Sequence, residues 1–324
     1  MKAVLCKAYG PPESLVFEDI PPPVPGPGEV VVSVKAASVN FPDTLIIQNK
    51  YQTKPPLPFS PGSECAGIVK SVGAGVARVR AGDPVMAVTT YGSFAEEVLT
   101  HESRLLEIPR GMDFVTAAAF TLTYGTSAHA LVDRGELKSG ETLIVLGASG
   151  GVGLAAIEIG KALGARVIAC ASTADKLDVC EQHGADELIN YTTQDLRERI
   201  KGLTRGEGAD VIYDAVGGPH SEPALRSMRW RGRFLVVGFA AGEIPKIPLN
   251  LTLLKGCSIV GVFWGDFVKR EPARFAEVMK QLDEWYQGGK LKPYVSETMP
   301  LARAADALKM MGERKVKGKL VLTV

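Results

Sequence analysis

Apolar residues in the middle of the chain arrive as short, nearly unbroken runs. Such runs predict strands at 142–146, 166–170, 186–190, 209–213, 233–237 and about 257–262. Continuous apolar runs suit strands covered on both faces. Between most of them the spacing turns helical, as in Leu154-Ala155-Ala156-Ile157-Glu158-Ile159-Gly160-Lys161-Ala162-Leu163. Strands alternating with helices predict a doubly wound parallel sheet.

The flanks read differently. Residues 1 to about 115 carry short strand-like runs between Pro and Gly turns, for example Glu29 to Asn40, Gly62 to Gly73, Val85 to Val88 and Phe94 to Leu99. This predicts a sheet-rich lobe closing into a partial barrel. From Thr116 the content turns helical, with Ala117 to Phe120 and Ser127 to Val132 separated by Tyr124-Gly125. The tail offers amphipathic helices over Pro272 to Gly288 and Ala302 to Met311, then a strand over Lys319 to Val324. The tail is expected to rejoin the first lobe. The expected domains are thus 1–120 completed by 265–324, with 121–264 inserted as the parallel-sheet domain.

Composition narrows the classes. The 324 residues are 46% hydrophobic and 23% charged, a globular balance, with a net charge of +1. That charge offers no strong field to nucleic acid or an anionic membrane. No apolar run reaches membrane-spanning length, and the Met1 to Cys6 run is too short for a signal peptide. Cys6, Cys65, Cys170, Cys180 and Cys257 contain no Cys-x-x-Cys pair and read as reduced thiols of a cytoplasmic protein.

The strongest chemical signal follows the run at 142–146. Gly147-Ala148-Ser149-Gly150-Gly151-Val152-Gly153 lies between that strand and a helix. This is where a dinucleotide pyrophosphate is seated on a helix N-terminus. Ser149, Gly150, Gly151, Val152 and Gly153 are the candidate phosphate-binding residues. A phosphate-loop NTPase would need Gly-Lys-Ser/Thr here, and Gly153 is followed by Leu154.

About 20 residues further on, an acid at the next strand's tip would favour NAD. The tip reads Cys170-Ala171-Ser172-Thr173, with Asp175 slightly late. Ser172, Thr173 and Lys176 are suited to a 2′-phosphate. The same residues also serve as ordinary helix caps and a solvated lysine, so the missing acid carries more weight. The expected cofactor is NADPH.

Taken together, the chain resembles the medium-chain dehydrogenase/reductase superfamily, in its zinc-free quinone oxidoreductase (zeta-crystallin-like) branch. The resemblance spans nearly the whole length. It rests on Pro25-Gly26-Pro27-Gly28-Glu29-Val30, Ser38-Val39-Asn40 with Asp43, Pro61-Gly62-Ser63-Glu64, Gly82-Asp83-Pro84-Val85, the glycine heptad, and Tyr213-Asp214-Ala215-Val216-Gly217-Gly218. It implies a GroES-like partial barrel beside a Rossmann domain. It also implies Tyr191 beside the adenosine end, and Gly238, Phe239, Ala240, Val262, Phe263 and Trp264 flanking the nicotinamide half. It further implies a homodimer paired through the strand near Ser258 to Val262.

Zinc-dependent members use Cys, His and Cys ligands, and the matching positions here are Asp43, Ser63 and about Tyr124. Serine and tyrosine are poor zinc ligands, so no metal is expected. Without a Lewis acid, a conjugated acceptor is easier to reduce than a simple carbonyl. The expected reaction is hydride transfer from NADPH to quinones or α,β-unsaturated carbonyls, with Asn40, Tyr51 and Tyr124 as hydrogen-bond donors in the cleft. Leu45 departs from the tyrosine often found there in the branch. Two other readings compete. One is an enoyl-CoA or acryloyl-CoA-type reductase; the other is an NADPH-binding, crystallin-like or RNA-binding protein with little catalysis.

Overall fold

Val30-Val31-Val32-Ser33-Val34 is rich in β-branched residues, which suit a pleated surface. It lies in the longest strand of its sheet. In chain order the first strands are β1 (Lys2–Leu5), β2 (Val16–Asp19), β3 (Glu29–Val39), β4 (Glu64–Val72), β5 (Pro84–Val88), β6 (Glu97–His101) and β7 (Leu105–Glu107). Then come β8 (Thr142–Leu146), β9 (Arg166–Ala171), β10 (Glu187–Asn190), β11 (Ala209–Asp214), β12 (Met228–Val236) and β13 (Ser258–Gly261). The tail adds β14 (Val295–Pro300) and β15 (Lys319–Thr323).

The computed structural model describes residues 1–324. Two units divide it: Met1–Leu122 with Pro293–Val324, and Thr123–Lys292. In the first unit the sheet order is β14-β15-β3-β4-β5-β7, with β6 also on β3. β15 pairs antiparallel with the far end of β3, Leu320 opposite Val39. The tail therefore completes the first lobe's sheet. Register shifts in the β3–β4 pairing fall between Val31 and Val32 and between Val34 and Ala36. Such bulges bend and twist a sheet. Inside it, Val32, Val34, Phe59, Cys65, Phe94, Leu320 and Leu322 join one core cluster.

The second unit holds a six-stranded sheet in the order β10-β9-β8-β11-β12-β13, and every pairing in it is parallel. In order of appearance this is 3-2-1-4-5-6, the doubly wound arrangement, with its switch point between β8 and β11. β8 is fully buried along Leu143 to Leu146, as its unbroken apolar run requires.

One boundary differs from the sequence expectation. The helix Pro272–Gln287 lies in the second unit, so the return to the first lobe comes at Pro293 and not at 265. Its Phe275 packs edge-on against Trp264 and Phe267, and Arg274 bonds Asp133 at 2.8 Å. One helix, Thr121–Ala128, carries both Tyr124 and Gly125. Gly125 is there for closeness and not for a turn. A Cβ on it would meet Trp264 Nε1 at 2.8 Å.

Candidate active site

In the second unit, β8 delivers the chain to Gly147, whose φ of 70° is open to glycine at little cost. The helix Gly151–Ala162 follows, capped by extended Gly150 with no side-chain cap bond. Its first-turn N–H groups are therefore left to a ligand or solvent. At Gly153 a Cβ would fall 2.4 Å from Gly147 O and 2.6 Å from Ala148 O, so only glycine lets the helix close on the strand. At Gly150 a Cβ would find only Gly147 O, at 3.5 Å, which leaves the face above the helix start clear. Backbone donors, a positive helix end and open space fit a pyrophosphate.

The tips of β9 and β10 come together. Lys176 Nζ donates to Ser172 Oγ at 3.3 Å, and Thr192 Oγ1 donates to Ser172 O at 2.8 Å. Tyr191 continues from β10, with its ring 4.3 Å from that of His220. Thr173 is exposed and is the N-cap of helix Ala174–Gln182, yet its side chain makes no cap bond. The helix-cap role that could explain Thr173 without a ligand is therefore not used.

β12 and β13 are neighbours, and the segments after them lie side by side. Val262 N donates to Val236 O at 3.0 Å, and Ala240 N to Ala215 O at 3.1 Å. Gly238, Phe239 and Ala240 are half-buried, Phe263 is exposed and Trp264 is buried. The Trp264 indole N–H has no hydrogen-bond partner. Asp214, buried at the end of β11, accepts from Val216 N, Gly217 N and Ser221 Oγ and so fixes the switch-point turn. In the sequence Asp214 stands out only as part of the Tyr213 to Gly218 motif.

In the first unit Asn40 ends β3 and caps the short helix Phe41–Ile46 in a capping box with Asp43. The buried Asn40 side chain is a hub. Its Oδ1 accepts from Lys319 Nζ at 2.5 Å, and its Nδ2 faces Ser38 Oγ, Glu64 Oε1 and Ser63 Oγ at 3.2, 3.2 and 3.4 Å. Both ends of the amide are therefore engaged within the protein, which corrects the expectation that Asn40 is a direct donor to substrate. Asp43 is buried and accepts from Asn40 N at 2.8 Å. Burial pushes its carboxyl up to about 7, against the pull of Asn40 N–H and the Lys319 charge. Tyr51 is half-buried against the same core cluster, and burial followed by the Asp43 charge raises its phenol.

Tyr124 departs from expectation. It is buried, and its hydroxyl donates to Glu158 Oε2 at 2.7 Å. Burial first, then the Glu158 charge, raises its phenol well above the ordinary range. Two residues were missed altogether: Lys319, which reads in sequence as one more lysine of a basic tail, and Glu158, one acid on an apolar helix.

No group of three or more His, Cys, Asp or Glu side chains converges where it could hold a metal ion. No helix is long and apolar enough to cross a membrane.

The alcohol dehydrogenase GroES-like domain family matches residues 26–110, and the zinc-binding dehydrogenase family matches 151–284. The chain is 39% identical to quinone oxidoreductase-like protein 2 homolog of Nematostella vectensis, over 99% of this chain and 88% of the relative. The Escherichia coli quinone oxidoreductase complexed with NADPH superposes with a TM-score of 0.93 at 30% identity, covering all of both chains. An NAD-dependent alcohol dehydrogenase superposes with a TM-score of 0.91 at 32% identity, again over all of both chains. These matches place the fold in the medium-chain dehydrogenase/reductase superfamily, with a GroES-like and a Rossmann domain. Within it, the chain belongs to the quinone oxidoreductase family.

Proposed function

We propose that the protein is an NADPH-dependent reductase that delivers hydride to quinones or α,β-unsaturated carbonyl compounds without a metal ion. The observation that carries this reading is the tip of β9. Ser172, Lys176, Tyr191 and Thr192 gather there, and residues 170–174 include no carboxylate. An acid at that tip would accept the ribose hydroxyls of NAD and repel a 2′-phosphate. A lysine and hydroxyls favour the phosphate.

Gly150, Gly151, Val152 and Gly153 present backbone donors to the pyrophosphate, with Ser149 beside them. Ser172, Thr173, Lys176 and Tyr191 hold the adenosine end. Gly238, Phe239, Ala240, Val262, Phe263 and Trp264 flank the nicotinamide. Bound NADPH supplies the hydride from its nicotinamide ring. At the substrate, charge arriving on a conjugated oxygen needs only hydrogen-bond donors. Tyr51 is the donor we favour, with Asn40 acting behind it. The positions matching zinc ligands carry the Asp43 carboxyl and the Ser63 hydroxyl, a donor set poor for zinc.

We also propose that the protein is a homodimer through β13, an edge strand whose Ile259 is 39% exposed. An unpaired apolar edge favours pairing with a second copy. Five free thiols suit a reducing compartment, here the cytoplasm.

The test is a panel of quinones, enones, enoyl-CoA thioesters and simple alcohols, assayed with NADPH or NADH in EDTA. Turnover of quinones or enones with NADPH supports the proposal. Preferential turnover of thioesters would move the substrate class. Cofactor binding without any turnover would favour a crystallin-like role.

A further inference from the structure

Lysine is seldom fully buried unless its charge is paired. Lys319 opens β15, one residue before the register pair of Leu320 with Val39, and is buried. Its ammonium has three acceptors: Asn40 Oδ1 at 2.5 Å, Glu64 Oε1 at 3.2 Å and Val39 O at 3.4 Å. Those match the three donors of an ammonium. Glu64 is as deeply buried. Its Oε1 also takes the Ser38 hydroxyl at 2.5 Å, and its Oε2 takes Leu122 N at 2.9 Å.

An ammonium only donates, so the Asn40 atom facing it must be the carbonyl oxygen. That choice turns Asn40 Nδ2 toward Ser38, Ser63 and Glu64. Asp43 in turn accepts the Asn40 N–H at 2.8 Å. A continuous path thus leads from Lys319 through Asn40 to Asp43, whose charge reaches Tyr51.

We infer that Lys319 is a positioning residue of the reductase site: its buried ammonium, paired with Glu64, orients Asn40 and sets the charge of the Asp43–Tyr51 wall that receives the substrate oxygen. This rests on the proposed reductase activity. The ionisable groups around Asp43 are Lys319, Glu64 and Tyr51, with Cys65 next to Glu64. Lys319 and Glu64 cancel, so the wall is neutral while Asp43 holds its proton. A neutral wall accepts negative charge better than an anionic one. Glu64 and Lys319 act on Asp43 with opposite sign, the first raising and the second lowering its carboxyl.

The experiment follows the Asp43 carboxyl by carbon-13 NMR, assigned with Asp43→Asn, in the full-length protein and in Lys319→Met, Glu64→Gln and the double variant. It pairs this with kcat and KM for the best enone or quinone. The expected result is an Asp43 titration that moves up in Lys319→Met, down in Glu64→Gln and back toward wild type in the double variant. In Lys319→Met, kcat should fall roughly tenfold or more while KM for NADPH holds, and the alkaline limb of kcat/KM should move with Asp43. A merely structural lysine would lower stability and leave kcat and the alkaline limb of kcat/KM unchanged. Coincident Asp43 titrations in all four proteins would overturn the inference, as would a normal kcat in Lys319→Met. If Lys319→Met does not fold, Glu64→Gln and the double variant decide by the same signs. The NMR readout needs no substrate. Failure of the reductase reading would show as absent turnover in the wild type, separately from failure here.

Discussion

The hydroxyl of Tyr124 donates to Glu158 at 2.7 Å, and the other oxygen of Glu158 meets His183 Nδ1 at 2.5 Å. Lys292 N adds a third bond at 2.9 Å. One buried carboxylate thereby ties helix Thr121–Ala128, helix Gly151–Ala162 and the end of helix Ala174–Gln182 together. Glu158 sits two turns along its helix from Gly151, about 10 Å from the phosphate-facing end. Tyr124 thus works as an anchor within the second unit. Tyr124→Phe should lower stability by about 1–3 kcal/mol, because it leaves a buried acceptor short of a donor. It should leave kcat/KM unchanged. Urea unfolding and steady-state kinetics check both, and a large loss of kcat at unchanged stability would restore Tyr124 as a substrate donor.

Lys176 should govern the choice of cofactor. Replacing it with alanine removes the cation near Ser172 and leaves the glycine cradle intact. KM for NADPH should rise roughly tenfold, the cost of one charge-assisted bond, while KM for NADH changes little. Equal effects on both cofactors would remove the 2′-phosphate from this place.

Asp43 should leave a mark on stability. Its folded carboxyl lies near 7, above the ordinary 3.8, chiefly because it is buried. The folded state therefore keeps a proton that the unfolded chain releases. The stabilisation is full below the unfolded value and is lost as pH rises through about 7. Asp43→Asn cannot ionise, and its oxygen can still accept from Asn40 N. The wild type should lose stability relative to this variant between about pH 5 and about pH 8. Urea unfolding at both pH values measures it, and parallel curves would contradict it.

Ile259→Lys should give monomers. The lysine would place a charge in the middle of edge strand β13, a common device against strand pairing. Trp230 and Leu253, both more than two-thirds exposed, lie on the neighbouring β12 and the helix before β13. Sedimentation analysis decides: an unchanged dimer would place the interface elsewhere, and a monomeric wild type would remove it.

The dinucleotide cradle was legible because its parts are consecutive. A buried run, a glycine turn and a helix lie within 142–163, and each local preference agrees with the parallel sheet around it. The strand-end segments at 238–240 and 262–264 came from the family resemblance and not from any local pattern. The first unit's polar cluster was legible only in part. Asn40 and Asp43 stand close in sequence, but Lys319 reaches Glu64 across 255 positions. Nothing local separates Lys319 from Lys315, which is exposed. Burial of a charge is decided by the partner that tertiary structure brings. The same holds for Glu158, whose partners come from three separate segments. Gly125 makes room for an indole, a role that no local pattern shows.

The central claim is hydride transfer from phosphorylated nicotinamide to an activated double bond without a metal. Its most direct test is a single turnover of an enone with NADPH deuterated at the transferred position, in EDTA. The account predicts a saturated product carrying one deuterium at the β-carbon, formed at a rate that EDTA does not lower. Unlabelled product, or activity that vanishes with the chelator and returns with zinc, would contradict it.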